Sequence, residues 1–391
     1  MIAANRHFLA LAFATVVATT AASSARGFEG DWEITPESEA ALSRGLEWLA
    51  RHQGKDGNWD SENLGLVAVG ALAFLADGHT PGRGKYGPVV ERALDHIVRQ
   101  AQPSGLLNVA AEKRDMYNHG LSAFVLGQAH GMSADARLGP VLDRALKLIA
   151  NTQCDDGGWE YVAQRRPKGH DLSLAVMQAL ALRSAVDSGL EVPPEVIELA
   201  IRSVRRHYRP EGGTRKPPLD EQAMQKLPGQ FTYTGGSDAT LAMAAAGVVC
   251  LQEFGQYDDW RIGKNMEVIA RAIAAAKPSG NGDGKLPFDA YTAYYVGQAI
   301  YQVGGKSWRD LYPALRDGIV GSQRRGNDTE RDGSWIDTKR VGGREGELYA
   351  TSVACFVLAI PNRYLPILQE GRIDSLRKFQ TPSRSQPATS N

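Results

Sequence analysis

Apolar residues recur along this chain at helical spacing, and they do so in two alternating styles. In Leu138–Asn151, the residues Leu138, Val141, Leu142, Ala145, Leu148 and Ile149 fall on one side of a 3.6-residue turn. The same one-faced pattern predicts helices over Ala40–Arg51, Tyr86–Gln100, Pro194–His207, Trp260–Ala276 and Trp308–Ser322. The second style is apolar on nearly every face, as in Leu241-Ala242-Met243-Ala244-Ala245-Ala246-Gly247-Val248-Val249. It predicts helices over Leu64–Ala76, Tyr117–Gln128, Leu172–Val186, Thr240–Phe254, Tyr291–Val303 and Tyr349–Leu358. A one-faced helix lies at a surface, whereas a helix that is apolar all round is packed on most sides. The chain therefore reads as six hairpins, each an outer helix followed by an inner one, in an all-α fold.

A turn signature separates the two helices of each hairpin. Gln53 precedes Gly54-Lys55-Asp56-Gly57-Asn58-Trp59, Gln102 precedes Pro103-Ser104-Gly105-Leu106-Leu107, and Gln153 precedes Cys154-Asp155-Asp156-Gly157-Gly158-Trp159. Fainter copies are Tyr208 to Gly213 and Lys277 to Gly282. Gln323 reaches Asp332-Gly333-Ser334-Trp335 only after an insertion, Arg324 to Arg331, which reads as a solvated loop. A spacing of roughly 50 residues is that of a repeat architecture. An open stack of repeats needs polar end units, and neither end of this chain is more polar than its middle, so the hairpins are expected to close into a ring. Glycine permits the tight turn. Tryptophan covers a helix end with a large apolar surface and has one donor to satisfy. Gln53, Trp59, Gln153, Trp159, Gln323 and Trp335 are read as structural.

Composition narrows the function classes. Lys+Arg and Asp+Glu are 44 each, so bulk attraction to nucleic acid has no basis. Arg6 and His7, the apolar run Phe8 to Ala18 and the small residues Ser23 and Ala25 have the form of a secretory signal over residues 1–25. That run is shorter than the ~20 residues a membrane span needs, and no later stretch reads as one. The fold is expected over 26–376, as one domain, with a disordered polar tail over 377–391, in an exported protein, periplasmic or secreted. Cys154, Cys250 and Cys355 lie far apart and read as three buried thiols or as one disulfide and a thiol. The segment Tyr208 to Thr234 is too rich in proline to be helical throughout. It reads as a flap over the rim or as a surface insertion.

The run Gln153 to Trp159 resembles the Gln-x-x-x-Gly-x-Trp repeat of squalene–hopene and oxidosqualene cyclases. Tyr294-Tyr295-Val296-Gly297-Gln298 through Gly304-Gly305-Lys306-Ser307-Trp308, then Ser322-Gln323 to Trp335, is similar to exported bacterial prenyltransferase and squalene oxidase repeat proteins. The resemblance covers most of the chain and implies an (α/α)6 barrel. It also implies that the repeat Gln and Trp tie adjacent outer helices together. The same barrel serves many activities. Squalene–hopene cyclases carry an Asp-x-Asp-Asp-Thr run, and this chain has only Ser237-Asp238-Ala239-Thr240 and His170-Asp171-Leu172-Ser173. No close Asp-x-Cys pair matches the zinc site of protein prenyltransferases, and no Gly-Cys-Gly-Glu-Gln thioester run occurs.

In such a ring the starts of the inner helices converge on one mouth. The residues there are polar or ionisable, which is what a pocket needs. Asp171, Asp238, Asp115 and His119 are the expected acid or base groups. Tyr117, Asn118, His170, Asp289, Tyr291, Glu347 and Tyr349 are the expected lining. Asp, Ser and Asn are also the preferred helix N-caps, so Asp171, Asp238 and Asp289 are equally readable as caps. No cofactor is predicted. Zinc on Asp115, His119 and His170 is conceivable, without a spacing signature. Three functions stay open: a barrel that binds or processes an isoprenoid, lipid or other ligand; an enzyme, either a rim-acid terpene cyclase or a polysaccharide lyase or hydrolase; and a structural or protein-interaction module.

Overall fold

The computed structural model describes residues 32–369, apart from 111–113, 212–219, 237–238, 277–281, 327–329 and 338–345. The expected signal segment and tail lie outside the described residues. Along the chain the elements are α1 (Pro36–Arg51), α2 (Leu64–Ala76), α3 (Gly87–Gln100), α4 (Asp115–Met132), α5 (Leu138–Thr152), α6 (Leu172–Asp187) and α7 (Pro194–Arg206). Then come β1 (Tyr208–Pro210), α8 (Glu221–Lys226), β2 (Gly229–Phe231), α9 (Leu241–Glu253), α10 (Trp260–Ala275), α11 (Ala290–Val303), α12 (Gly305–Ser322) and α13 (Glu347–Ala359). Helix α1 starts earlier than the apolar pattern suggests because Thr35 and Ser38 cap it reciprocally. The Thr35 N–H donates to Ser38 Oγ at 2.9 Å, and the Ser38 N–H donates to Thr35 Oγ1 at 3.2 Å. No helix among the described residues is long and apolar enough to cross a membrane.

Two concentric rings result. The all-round apolar helices α2, α4, α6, α9, α11 and α13 pack each on the next, and α13 returns to α2. The one-faced helices α1, α3, α5, α7, α10 and α12 lie outside them. Closure is direct: α1 packs on both α12 and α13, and Gly45 sits against Cys355 and the ring of Trp335. Close approach within the inner ring also depends on glycine, since a Cβ on Gly127 of α4 would lie 2.3 Å from Ser184 Oγ of α6. All three cysteines are buried free thiols.

The turns show how each hairpin grips the next. Trp59, Trp159 and Trp335 are buried, and their indole N–H groups donate to Leu49 O at 2.8 Å, Ile149 O at 2.9 Å and Ile319 O at 2.9 Å. Each of those carbonyls belongs to the last turn of the preceding outer helix, where carbonyls lack backbone N–H partners within the helix. The glutamines look forward. Gln53 Nε2 donates to Gly57 O and Val89 O, and Gln153 Nε2 to Gly157 O and Val196 O. Gln323 Nε2 donates to Gly333 O and, at 2.8 Å, to Ala41 O of α1, which sews the last hairpin to the first. The fourth turn is rebuilt as the antiparallel pair β1–β2, and there Asn265 of α10 supplies the tie, accepting the Phe231 N–H at 3.0 Å.

Gly157 has a positive φ, +87°, and a Cβ there would lie 2.1 Å from Leu199 O of α7. Gly157→Ala should therefore cost roughly 3 kcal/mol, combining left-handed strain with a backbone clash. Urea unfolding of the variant measures this, and a loss within ~0.5 kcal/mol would refute the close approach.

Candidate functional site

Each inner helix is entered from a turn, so the inner helix N-termini share one rim. Side-chain caps mark most of them: Asn63 accepts the Leu66 N–H, Thr240 the Met243 N–H and Asp289 the Thr292 N–H, whereas α4 and α13 start without one. Asp171 caps α6 in the same way, accepting the Leu174 N–H at 3.2 Å, but it does more than cap. Its Oδ2 accepts the Tyr161 hydroxyl at 2.6 Å and His170 Nδ1–H at 3.1 Å, and its Oδ1 also accepts the Ser173 hydroxyl. The single hydroxyl proton of Ser173 is thus committed to Asp171, so Tyr117 is the donor in the bond between Tyr117 Oη and Ser173 Oγ. Four donors occupy the roughly four lone-pair positions of a carboxylate. Asp171 is therefore an acceptor that orients its neighbours.

The network runs from solvent inward. The His170 side chain is 46% exposed, that of Asp171 only 4%. With Nδ1 turned to Asp171, Nε2 is the ring nitrogen left to a ligand. Tyr161 lies against His170, ring centres 4.3 Å apart, and stacks on Tyr117 at 5.6 Å. Burial first, then the charge of Asp171, pushes both phenols above the usual tyrosine range, so both remain hydroxyl donors near neutral pH.

Tyrosines fill the axis behind this dyad. Tyr291 on α11 stands across the ring from Tyr117 on α4, and its phenol is pushed well above the usual tyrosine range by burial first, then by Tyr295 and Tyr117. Tyr295 meets Tyr291 at 5.0 Å and Tyr294 at 5.1 Å, and its hydroxyl donates to Met177 Sδ at 3.4 Å. Tyr233 enters from the end of the β1–β2 hairpin, where its carbonyl accepts the Leu172 N–H at 3.0 Å. Its phenol is pushed up by burial, then by Asp171 and Asp289, so both carboxylates act on it. Recesses of about 660, 1080 and 260 Å³ lie elsewhere on the surface, and none of them is lined by this cluster.

Solved structures with the same two-ring architecture exist. The GH76 alpha-mannanase of Bacteroides thetaiotaomicron superposes with a TM-score of 0.54 over 85% of this chain and 97% of its own, at 12% identity. The apo type II terpene cyclase MstE from Scytonema gives 0.50 over 85% and 100%, also at 12%. The chain is an α/α toroid. No protein-family model matches it, and no curated protein matches it in sequence. At these identities the likeness is one of fold.

The toroid brings together Tyr117, His170 and Asp171, with Tyr291 and Asp289 nearby. It sends other expected lining residues elsewhere. His119 is wholly buried and turned outward: Nδ1 accepts the Leu107 N–H at 3.1 Å, which leaves the proton on Nε2 to donate to Ala145 O at 3.0 Å. Both ring nitrogens are used, so His119 is no free base, and a zinc site on Asp115, His119 and His170 is not formed. Asp115 and Asn118 knit the loop ahead of α4. Asn108 Nδ2 donates to Asp115 Oδ1 at 2.8 Å, and Asn118 Nδ2 donates to Asn108 Oδ1 at 2.8 Å. Asp289 accepts from the Thr292 hydroxyl as well as capping α11. Glu347 is ion-paired with Arg324. Tyr349 is buried in the start of α13, and Asp238 lies outside the described residues. Among the described residues no cluster of three His, Cys, Asp or Glu suits a metal ion.

Sequence reasoning missed Tyr161, Ser173 and Tyr233. Tyr161 lies two residues past the repeat tryptophan Trp159, and Ser173 two past the cap Asp171. The segment Tyr208 to Thr234 combines its two readings: α8 docks on the outer helix α10, with Glu221 accepting from Trp260 Nε1 at 3.1 Å and Arg261 Nη2 at 2.9 Å, while Tyr233 at the segment's end meets the start of α6.

Proposed function

We propose that the chain is an exported toroid of the squalene-cyclase-like repeat type that binds and processes a hydroxylated, sugar-like ligand at the inner-helix mouth. The observation that carries this reading is the His170–Asp171 dyad, with Nδ1 held by the carboxylate and the half-exposed ring lying beside that of Tyr161. A histidine oriented through Nδ1 by a carboxylate is suited to move a proton at Nε2. Ring faces and hydroxyls suit a sugar better than a hydrocarbon. The alpha-mannanase neighbour acts on a glycan, and the terpene cyclase neighbour binds geranylgeranyl dihydroxybenzoate. Here the axis at Tyr117, Tyr291 and Tyr295 is filled with buried rings, which argues for a ligand at the mouth instead of an isoprenoid folded deep in the barrel.

The test is calorimetric binding of an oligosaccharide panel and a polyprenyl lipid panel to the mature protein, followed by turnover on any saccharide bound. His170→Ala should lower turnover ~10²–10⁴-fold while leaving the melting temperature nearly unchanged, since its side chain is half exposed. Asp171→Asn keeps a competent cap but loses the acceptor for His170, so turnover should fall there too. Binding confined to polyprenyl lipids, or turnover indifferent to both changes, would overturn the reading.

A further inference from the structure

A second surface is built quite differently from the mouth. Between the outer helices α5 and α7 a recess of about 1080 Å³ opens down to the inner ring. Leu146 and Ala150 of α5 form one wall and Ile197 of α7 the other. Leu182 and Val186 of α6 make the floor, and Phe254 closes one end. This volume is that of a small-molecule site, and a mostly apolar concavity of this size is uncommon on a surface with no use for it.

The rim is charged with one excess sign. Asp143 and Lys147 lie on the rim and neutralise each other in an ion pair of 2.8 Å. Glu191, on the α6–α7 connection, and Glu198, on α7, also line the recess, and neither has an ion-pair partner among the described residues. An apolar trough with two uncompensated carboxylates at its lip complements a molecule with one apolar chain and a positive head. We propose that this groove binds a single-chain cationic amphiphile, the chain lying on Leu182 and Val186 and the head at Glu191 and Glu198. An anionic amphiphile would meet like charge at the same lip. The site is independent of His170 and Asp171, which lie at the start of α6, whereas Leu182 and Val186 are near its end.

The probes are dodecyltrimethylammonium, dodecyl maltoside and dodecyl sulfate, each held below its critical micelle concentration. Titrations of the purified protein are followed by calorimetry. The cationic probe should bind about three- to tenfold more tightly than the neutral one, and the anionic probe most weakly. The double variant E191Q/E198Q should erase the preference between cationic and neutral heads, and raising the salt should narrow it in wild type. Ala150→Trp fills the trough and should abolish binding of all three probes, while Lys306→Gln, at an exposed position on α12 that does not line the recess, serves as a surface control that keeps it. Far-UV circular dichroism and the melting temperature report whether each variant is folded. If Ala150→Trp is misfolded, Ile197→Ser is used in its place. Equal affinity for the three heads, binding that survives both groove variants, or no binding would overturn the proposal. So would self-association in sedimentation that the groove variants abolish, because the groove would then be a contact between copies of this chain.

Discussion

Trp159→Ala is expected to lower the unfolding free energy by roughly 3–5 kcal/mol. The indole is wholly buried in the core, and it closes the most complete copy of the turn. Truncation removes its packing against the hairpin and opens a cavity that close-packed helices cannot fill. It also strips the Ile149 carbonyl of its donor at 2.9 Å, leaving it only the longer contact of 3.4 Å from the Thr152 hydroxyl. Trp159→Phe should recover much of the packing and none of the hydrogen bond, leaving a deficit nearer ~1–2 kcal/mol. Denaturant midpoints with unchanged slopes give both values. A loss below ~1 kcal/mol for the alanine variant would show that the turn is not a clamp.

Acid should weaken the fold through His119, by an amount on the order of 3 kcal/mol between pH 6.5 and 4. Burial pushes its imidazole down to about 4, against the opposing pull of the bond to the Ala145 carbonyl. Because the folded value lies below the unfolded one, the stabilisation is fully present above pH 6.5. It is lost as the pH falls toward 4, where the unfolded chain takes up a proton that the fold refuses. Glu253 works in the opposite sense at the far ends of the inner helices. Burial pushes its carboxyl up to about 8, with Arg183 opposing, so its contribution is greatest below pH 4.5 and is lost as the pH rises toward 8. The two slopes oppose each other in mildly acidic solution, and the raw stability curve hides both. His119→Gln separates them, since Glu253 is common to both proteins. The stability advantage of wild type over His119→Gln should shrink by ~3 kcal/mol between pH 7 and 4, and an advantage constant across that range would sink the assignment.

His119 also shows where sequence reading stops. The helices were legible because their apolar period is a property of consecutive residues, and α2, for example, runs over Leu64–Ala76 as expected. Ring closure was legible as a missing polar cap and is seen as Gly45 against Cys355. The mouth was only half legible. Two residues apart on an α-helix are about 200° apart around its axis, so Tyr117 and His119 of α4 cannot both face the barrel axis. Grouping them by nearness in sequence ignored a phase that the sequence contained. Tyr161 and Tyr233 were illegible for another reason. Both come from loops, which carry no period, and their approach to Asp171 depends on how the third turn and the β1–β2 hairpin settle on the rim.

The bond from Gln323 to Ala41 joins residues 282 apart in the chain. In a linear stack, one unit can be lost and the rest remain a shorter stack. A closed circle of wedges has no such freedom, because deleting one hairpin leaves a gap that the others can fill only by changing every angle between them. Variation is therefore confined to places that leave each wedge intact. The inserted residues that separate Gln323 from Trp335 in sequence and the hairpin that replaces the fourth turn are both of that kind: length has been added between the helices, and the count of hairpins around the circle is untouched.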